Sequence, residues 1–155
     1  MDSPSKIAVL GLWHLGETYS AGLAEVGHDV VGIDEDEALI ENFSKNTPPL
    51  AEPRLAEIIT ANRAAGRLSY ATDFAKIKGR NVLWIAFDTP VNDADEADVR
   101  GIHQAVEKAA GSDVDPLVAD KIRQLLSVIL HETTEGGKDV QIKFTSEENT
   151  SEIFF

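Results

Sequence analysis

The chain has no cysteine, and that absence excludes disulfides, thiolate metal sites and a catalytic thiol nucleophile. Positive charge is scarce as well, with 14 Lys and Arg against 27 Asp and Glu and a formal charge of -13. Nucleic-acid binders gather Lys and Arg on one face, so no nucleic-acid partner is expected. No apolar run is long enough to span a bilayer, and Met1-Asp2-Ser3-Pro4 has neither a basic start nor an apolar h-region. These features lead us to expect a cytoplasmic protein with no membrane partner. His14, His28, His103 and His131 share no metal-ligand spacing, and the acidic loop Asp93 to Asp98 lacks the glycine and terminal glutamate of an EF-hand loop. No metal site is expected. What the chain does have, in 155 residues that are 43% hydrophobic, is apolar material for one core.

The run Lys6 to Gly11 is short, apolar and closed by glycine, the pattern of a strand buried on both faces. From His14 to Val26, Leu15, Tyr19, Gly22, Leu23 and Val26 recur at helical spacing, and Gly27 stands where a left-handed C-cap belongs. His28 to Asp34 is a second strand, so Lys6 to Asp34 reads as one right-handed βαβ unit. A helix over Asp36 to Asn46 should turn Leu39, Ile40 and Phe43 inward, and another over Arg54 to Ala65 should do so with Leu55, Ile58 and Ile59. A third strand over Arg67 to Thr72, a short helix over Phe74 to Ile77 and an apolar strand over Asn81 to Phe87 follow. Ala97 to Ala110 reads as a helix with Ile102, Ala105, Val106 and Ala109 inward. Beyond Gly111, Pro116 to Leu130 fits a helix, although Leu125 to Leu130 also suits a buried strand. Val140 to Phe144 alternates like a half-buried strand and Ser146 to Ser151 reads as a polar tail. Phe154-Phe155 fits either a docking peptide or a frayed end.

The first strand-to-helix turn, Gly11-Leu12-Trp13-His14-Leu15-Gly16, fills a dinucleotide fingerprint at its first and third glycines and not at its second. Gly11 permits a tight turn, Gly16 lets the helix pack against the strand, and the helix N-terminus attracts a diphosphate. A plain tight βα turn has the same glycines. Trp13 occupies the position where backbone normally approaches phosphate, so its indole either crowds the ligand or points aside. Asp34, at the end of the second strand, is placed to accept from ribose hydroxyls, and Glu35, Asp36 and Glu37 beside it would repel the extra phosphate of NADP. Those carboxylates equally suit a helix start, where negative charge complements the dipole.

Further segments carry a family resemblance. Lys6 to Leu12, Leu23 to Asp34, Glu52-Pro53-Arg54-Leu55, Ala65 to Leu68 with Thr72-Asp73, Thr89-Pro90-Val91 and Ala97-Asp98 are together similar, over roughly residues 6 to 111, to the NAD-binding N-terminal domain of the UDP-glucose/GDP-mannose dehydrogenases. The resemblance implies a single Rossmann-like α/β domain at 1–111, a mainly parallel sheet with helices on both faces, followed by an extension at 112–155. It implies NAD as cofactor, held by Gly11, Trp13, His14, Leu15, Gly16, Asp34 and Thr89. It also implies oxidation of a nucleotide-sugar alcohol through an aldehyde to a carboxylate. In that family a cysteine thiolate captures the aldehyde, and the next domain assists. With no cysteine and no room for a substrate domain, this chain is expected to lack the catalytic half and to meet a nucleotide sugar only if that half is supplied. A module that keeps the fold for assembly or nucleotide sensing is the alternative, and a hydroxy-acid dehydrogenase domain is disfavoured by the Glu52 and Thr89-Pro90 segments. A half-sheet would leave an open edge, to be paired by Val140 to Phe144 or by a second copy in a homodimer.

Overall fold

The computed structural model describes residues 3–50, 52–87, 100–111, 142–145 and 150–154, the last two stretches as backbone. Strands β1 (Lys6–Leu10), β2 (Asp29–Ile33), β3 (Leu68–Ala71), β4 (Val82–Ile85), β5 (Ile142–Thr145) and β6 (Thr150–Phe154) form one sheet in the order β3-β2-β1-β4-β6-β5. All neighbours run parallel except β5 and β6. Side chains of β1 alternate between two cores, as a central parallel strand requires. Ile7 and Val9 pack with Leu39, Phe43, Leu55 and Ile59 from helices α2 (Glu37–Ser44) and α3 (Leu55–Ala64). Ala8 and Leu10 pack on the opposite face with Ile77 of a 3-10 turn (Phe74–Ile77) and with Ile102 and Val106 of α4 (Arg100–Gly111). Helices therefore cover both faces, and the inward residues expected for α2, α3 and α4 are buried or half-buried.

Helix α1 (His14–Glu25) faces a different way from its sequence pattern. The inward residues are Gly16, Glu17, Ser20, Ala21 and Ala24, whereas Leu15, Tyr19 and Val26 are exposed, Val26 at 73%. The cause is contact distance. A Cβ built on Gly16 would lie 1.7 Å from the Gly11 carbonyl oxygen, so the helix rests on β1 through its smallest residues, which recur at 16, 20 and 24. Leu15 and Tyr19 are rolled outward while Leu23 stays half-buried against the core, and Tyr19 meets the Trp84 ring at a 5.0 Å centroid distance.

Tyr70 on β3 is set into a notch. It pairs with Gly32 across the ladder, where any Cβ would stand 2.6 Å from the Tyr70 ring. The ring stacks on Phe43 at 4.2 Å, and its hydroxyl lies 3.3 Å from Ser20 Oγ.

The polar tail expected at Ser146 to Ser151 is corrected at Thr150 and Ser151, which belong to the strand Thr150–Phe154 beside β4, while 146–149 lie outside the described residues. Ladder hydrogen bonds join backbone to backbone, so a polar stretch containing Thr, Ile and Phe can pair whatever its side chains. β5 matches the expected strand but lies outside β6, and it is β6 that occupies the far edge of β4. Phe154 belongs to β6, and Phe155 lies outside the described residues, as do Thr89-Pro90, Ala97-Asp98, the acidic loop and Pro116 to Leu130. Among the described residues no helix is long and apolar enough to cross a membrane.

Candidate functional site

Parallel pairing brings the C-terminal ends of β1 and β2 side by side, and the turn between β1 and α1 crosses above them. Gly11 adopts φ +83, a left-handed conformation that side chains resist. It donates its N–H to the Ile33 carbonyl at 3.0 Å. A Cβ there would also come within 3.0 Å of the Phe87 ring. Leu12 is fully buried, and its amide donates to Asp34 Oδ2 at 2.8 Å, while the Asp36 amide donates to Asp34 Oδ1 at 3.1 Å. Asp34 thus ties the turn to the end of β2. A carboxylate has about four acceptor positions, and two bonds leave room for ligand hydroxyls on the same group.

Trp13 is the N-cap of α1 and provides no side-chain acceptor, so the amides of the first turn receive none from the cap side chain. Its indole is half exposed, at 52%. His14 and Leu15 are exposed beside it, and His14 Nε2 lies 3.3 Å from Glu52 Oε1. The motif Glu52-Pro53-Arg54-Leu55 therefore reaches the same turn. Gly16, under the helix, provides the close packing described above. Of the expected site residues, Gly11, Trp13, His14, Leu15, Gly16 and Asp34 come together, and Thr89 lies outside the described residues.

The acidic segment divides its work. Asp36 caps α2 by accepting from the Ala38 and Leu39 amides at 2.9 and 3.1 Å, and Glu35 pairs with Lys108 of α4. Lys108 was invisible as a site neighbour in the sequence because the contact spans 73 residues. Glu17 was missed for another reason, since a carboxylate in the first turn of a helix ordinarily reads as solvated. Here it is fully buried, and among the described residues neither carboxylate oxygen has a hydrogen bond of ordinary length. Burial pushes its pKa up from 4.5 to about 7, opposed by the nearby Leu50 amide and by the charge of His14. Burial likewise raises the Tyr70 hydroxyl.

A parallel sheet whose first βα turn carries such glycines, with a carboxylate at the end of the next strand, defines a dinucleotide-binding domain of the dehydrogenase type. The comparisons make the class specific. Residues 5–147 match the family model of the UDP-glucose/GDP-mannose dehydrogenase family, NAD binding domain. The chain belongs to that family. It is 33% identical to a UDP-glucose 6-dehydrogenase of Haloferax volcanii over 75% of this chain and 28% of the relative. It is 32% identical to a UDP-glucose 6-dehydrogenase of Bacillus subtilis over 67% of this chain and 24% of the relative. Among solved structures, it is similar to a UDP-glucose dehydrogenase from Pyrobaculum islandicum, with TM-score 0.66 and 29% identity over 70% of this chain and 25% of that one. A GDP-mannose dehydrogenase from Pseudomonas aeruginosa gives TM-score 0.65 and 27% identity over 68% and 24%. The chain thus spans about a quarter of the length of these relatives, and what it matches is their NAD-binding domain.

Proposed function

We propose that NAD binds across the ends of β1 and β2, with its diphosphate on the amides of Trp13 to Gly16 and its adenosine ribose on Asp34. The observation that carries this reading is the Asp34 carboxylate, which is locked to the Leu12 amide and so oriented beside the turn with acceptor capacity remaining. Gly16 fits the same role, because the cradle under the diphosphate exists only where no Cβ separates α1 from β1. Thr89 completes the site in this proposal. NAD, when bound, supplies the hydride acceptor; this chain's residues bind and orient it.

The whole reaction we assign is oxidation of a nucleotide-sugar alcohol in the cytoplasm. The chain contains no thiol, so an aldehyde oxidation that depends on cysteine has no nucleophile within these 155 residues. The chain on its own is accordingly a binding module. The same observation favours a second reading, in which the module serves assembly or nucleotide sensing, and supply of a catalytic partner with NAD and a nucleotide sugar separates the two by whether NADH forms.

Calorimetric titration tests the site. NAD is expected to bind more tightly than NADP, since a phosphate on the ribose would meet Asp34 with Glu35 and Asp36 beside it. Asp34→Ala is expected to weaken NAD binding by about 1 to 3 kcal/mol. It also removes the acceptor of the Leu12 amide, so a modest loss of melting temperature accompanies the loss of affinity. Equal affinity for NAD and NADP would sink the ribose assignment.

Trp13→Gly provides a second test. With half the indole in solvent, little burial is lost, and stability should fall by only about 1 kcal/mol through added backbone freedom. Removing the indole from the diphosphate position should tighten NAD binding severalfold. Unchanged affinity in parallel titrations would place the indole outside the ligand's path.

A further inference from the structure

Glu17 is a buried carboxylate of the turn region whose burial the NAD reading does not use. It follows Gly16 directly and lies in the first turn of the helix whose amides meet the diphosphate. Among the described residues both its oxygens are enclosed with no hydrogen bond of ordinary length, the Leu50 amide giving only a weak one, although a buried charge is normally paired or hydrogen-bonded. Among the described residues the polar groups around it come from three places. Helix α1 contributes His14 and Ser20, whose hydroxyl donates to the Glu17 backbone carbonyl and not to its carboxylate. The stretch before α3 contributes the Leu50 amide and Glu52, whose charge disfavours ionisation. β3 contributes Tyr70, whose hydroxyl is occupied near Ser20. Among the described residues His14 is the cationic group that acts on it, and His14 is already set against Glu52.

We infer that Glu17 is a proton-controlled determinant of dinucleotide affinity: the neutral acid permits the diphosphate at the α1 N-terminus, and the ionised form opposes it. The argument rests on the NAD site proposed above. Glu17 and the diphosphate share one short helical segment, and in a protein interior two negative charges at such separation repel more strongly than in water. Loss of the Glu17 proton also introduces a charge in the first turn of α1, next to Gly16, where the helix has no space to shift toward the Gly11 carbonyl. Linkage then works in both directions. A bound diphosphate raises the proton affinity of Glu17, so NAD binding near neutral pH takes up a proton. The raised pKa places this exchange around pH 7. His14 also favours the diphosphate when protonated, and its contribution must be separated from that of Glu17.

The test is calorimetric titration of the whole chain with NAD from pH 6 to 8.5, repeated in buffers of different ionisation heat. The wild-type dissociation constant is expected to rise about tenfold across that range, with net proton uptake near pH 7. Glu17→Gln should flatten most of the rise and remove most of the uptake, and Glu17→Gln in a His14→Gln background should flatten the rise that His14→Gln alone still shows. If Glu17→Gln does not fold, Glu17→Leu provides the same reading without a titratable group. An unchanged pH slope and proton uptake in the Glu17 variant overturns this inference and leaves the NAD site standing. Absence of NAD binding at every pH overturns the site itself, and the inference with it.

Discussion

Gly16→Ala is expected to lower stability by about 3 kcal/mol or more and to abolish NAD binding. The new methyl carbon would stand 1.7 Å from the Gly11 oxygen and 2.8 Å from its carbonyl carbon, both backbone atoms that no rotamer change can move. Relief requires α1 to lift from β1, which opens the core at Ala21 and Ala24 and carries the first-turn amides away from the position that a diphosphate needs. Urea unfolding followed by far-ultraviolet circular dichroism measures the first effect, and titration with NAD well below the melting temperature measures the second. A variant as stable as the wild type would show that the helix approaches β1 less closely than described. A destabilised variant that still binds NAD normally would instead move the cofactor away from this turn.

Glu17→Leu should have the opposite sign, stabilising the chain by about 3 kcal/mol at pH 8 and by much less near pH 4.5. In the folded chain the Glu17 pKa is raised from 4.5 to about 7, so the folded state binds the proton more tightly than the unfolded state does. The contribution of the neutral acid is fully present below pH 4.5 and is lost as pH rises through about 7. Above that, the wild type must bury a charge or expose it, and leucine escapes the choice. Thermal melts of both proteins at the two pH values isolate the effect, because other titrating groups are common to both. A stability difference that does not change with pH would mean that Glu17 ionises freely in the folded chain.

These two neighbours also show where the sequence was legible. Strands β1, β2 and β4 are apolar in both parities, which only burial on two faces explains, and Gly11, Gly16 and Asp34 fall at positions whose roles follow from backbone geometry. The inward faces of α2 and α4 were legible for the same reason, since Leu39 with Phe43 and Ile102 with Val106 form stripes. Helix α1 was legible as a helix and not in its orientation. Its apolar spacing points one way, and the demand for closest contact at Gly16 turns it another. Glu17 is buried as a consequence of that rotation, so no local pattern could have announced it. β6 was hidden because its partner β4 lies some seventy residues earlier in the chain, Val82 pairing with Glu152, and strand pairing at that separation leaves no periodic mark.

The notch at Gly32 has a consequence for the edge of the sheet. β3 has only four residues and, among the described residues, β2 as its single strand neighbour, and so short a ladder has few hydrogen bonds to resist sliding. Sliding by one residue would turn Tyr70 to the opposite face and offer Ser69 or Ala71 to the gap. Neither has a ring to stack on Phe43 or a phenol to reach Ser20. Tyr70 therefore works as a key cut for one lock, and the alignment of the whole edge strand depends on a missing methyl group in its neighbour.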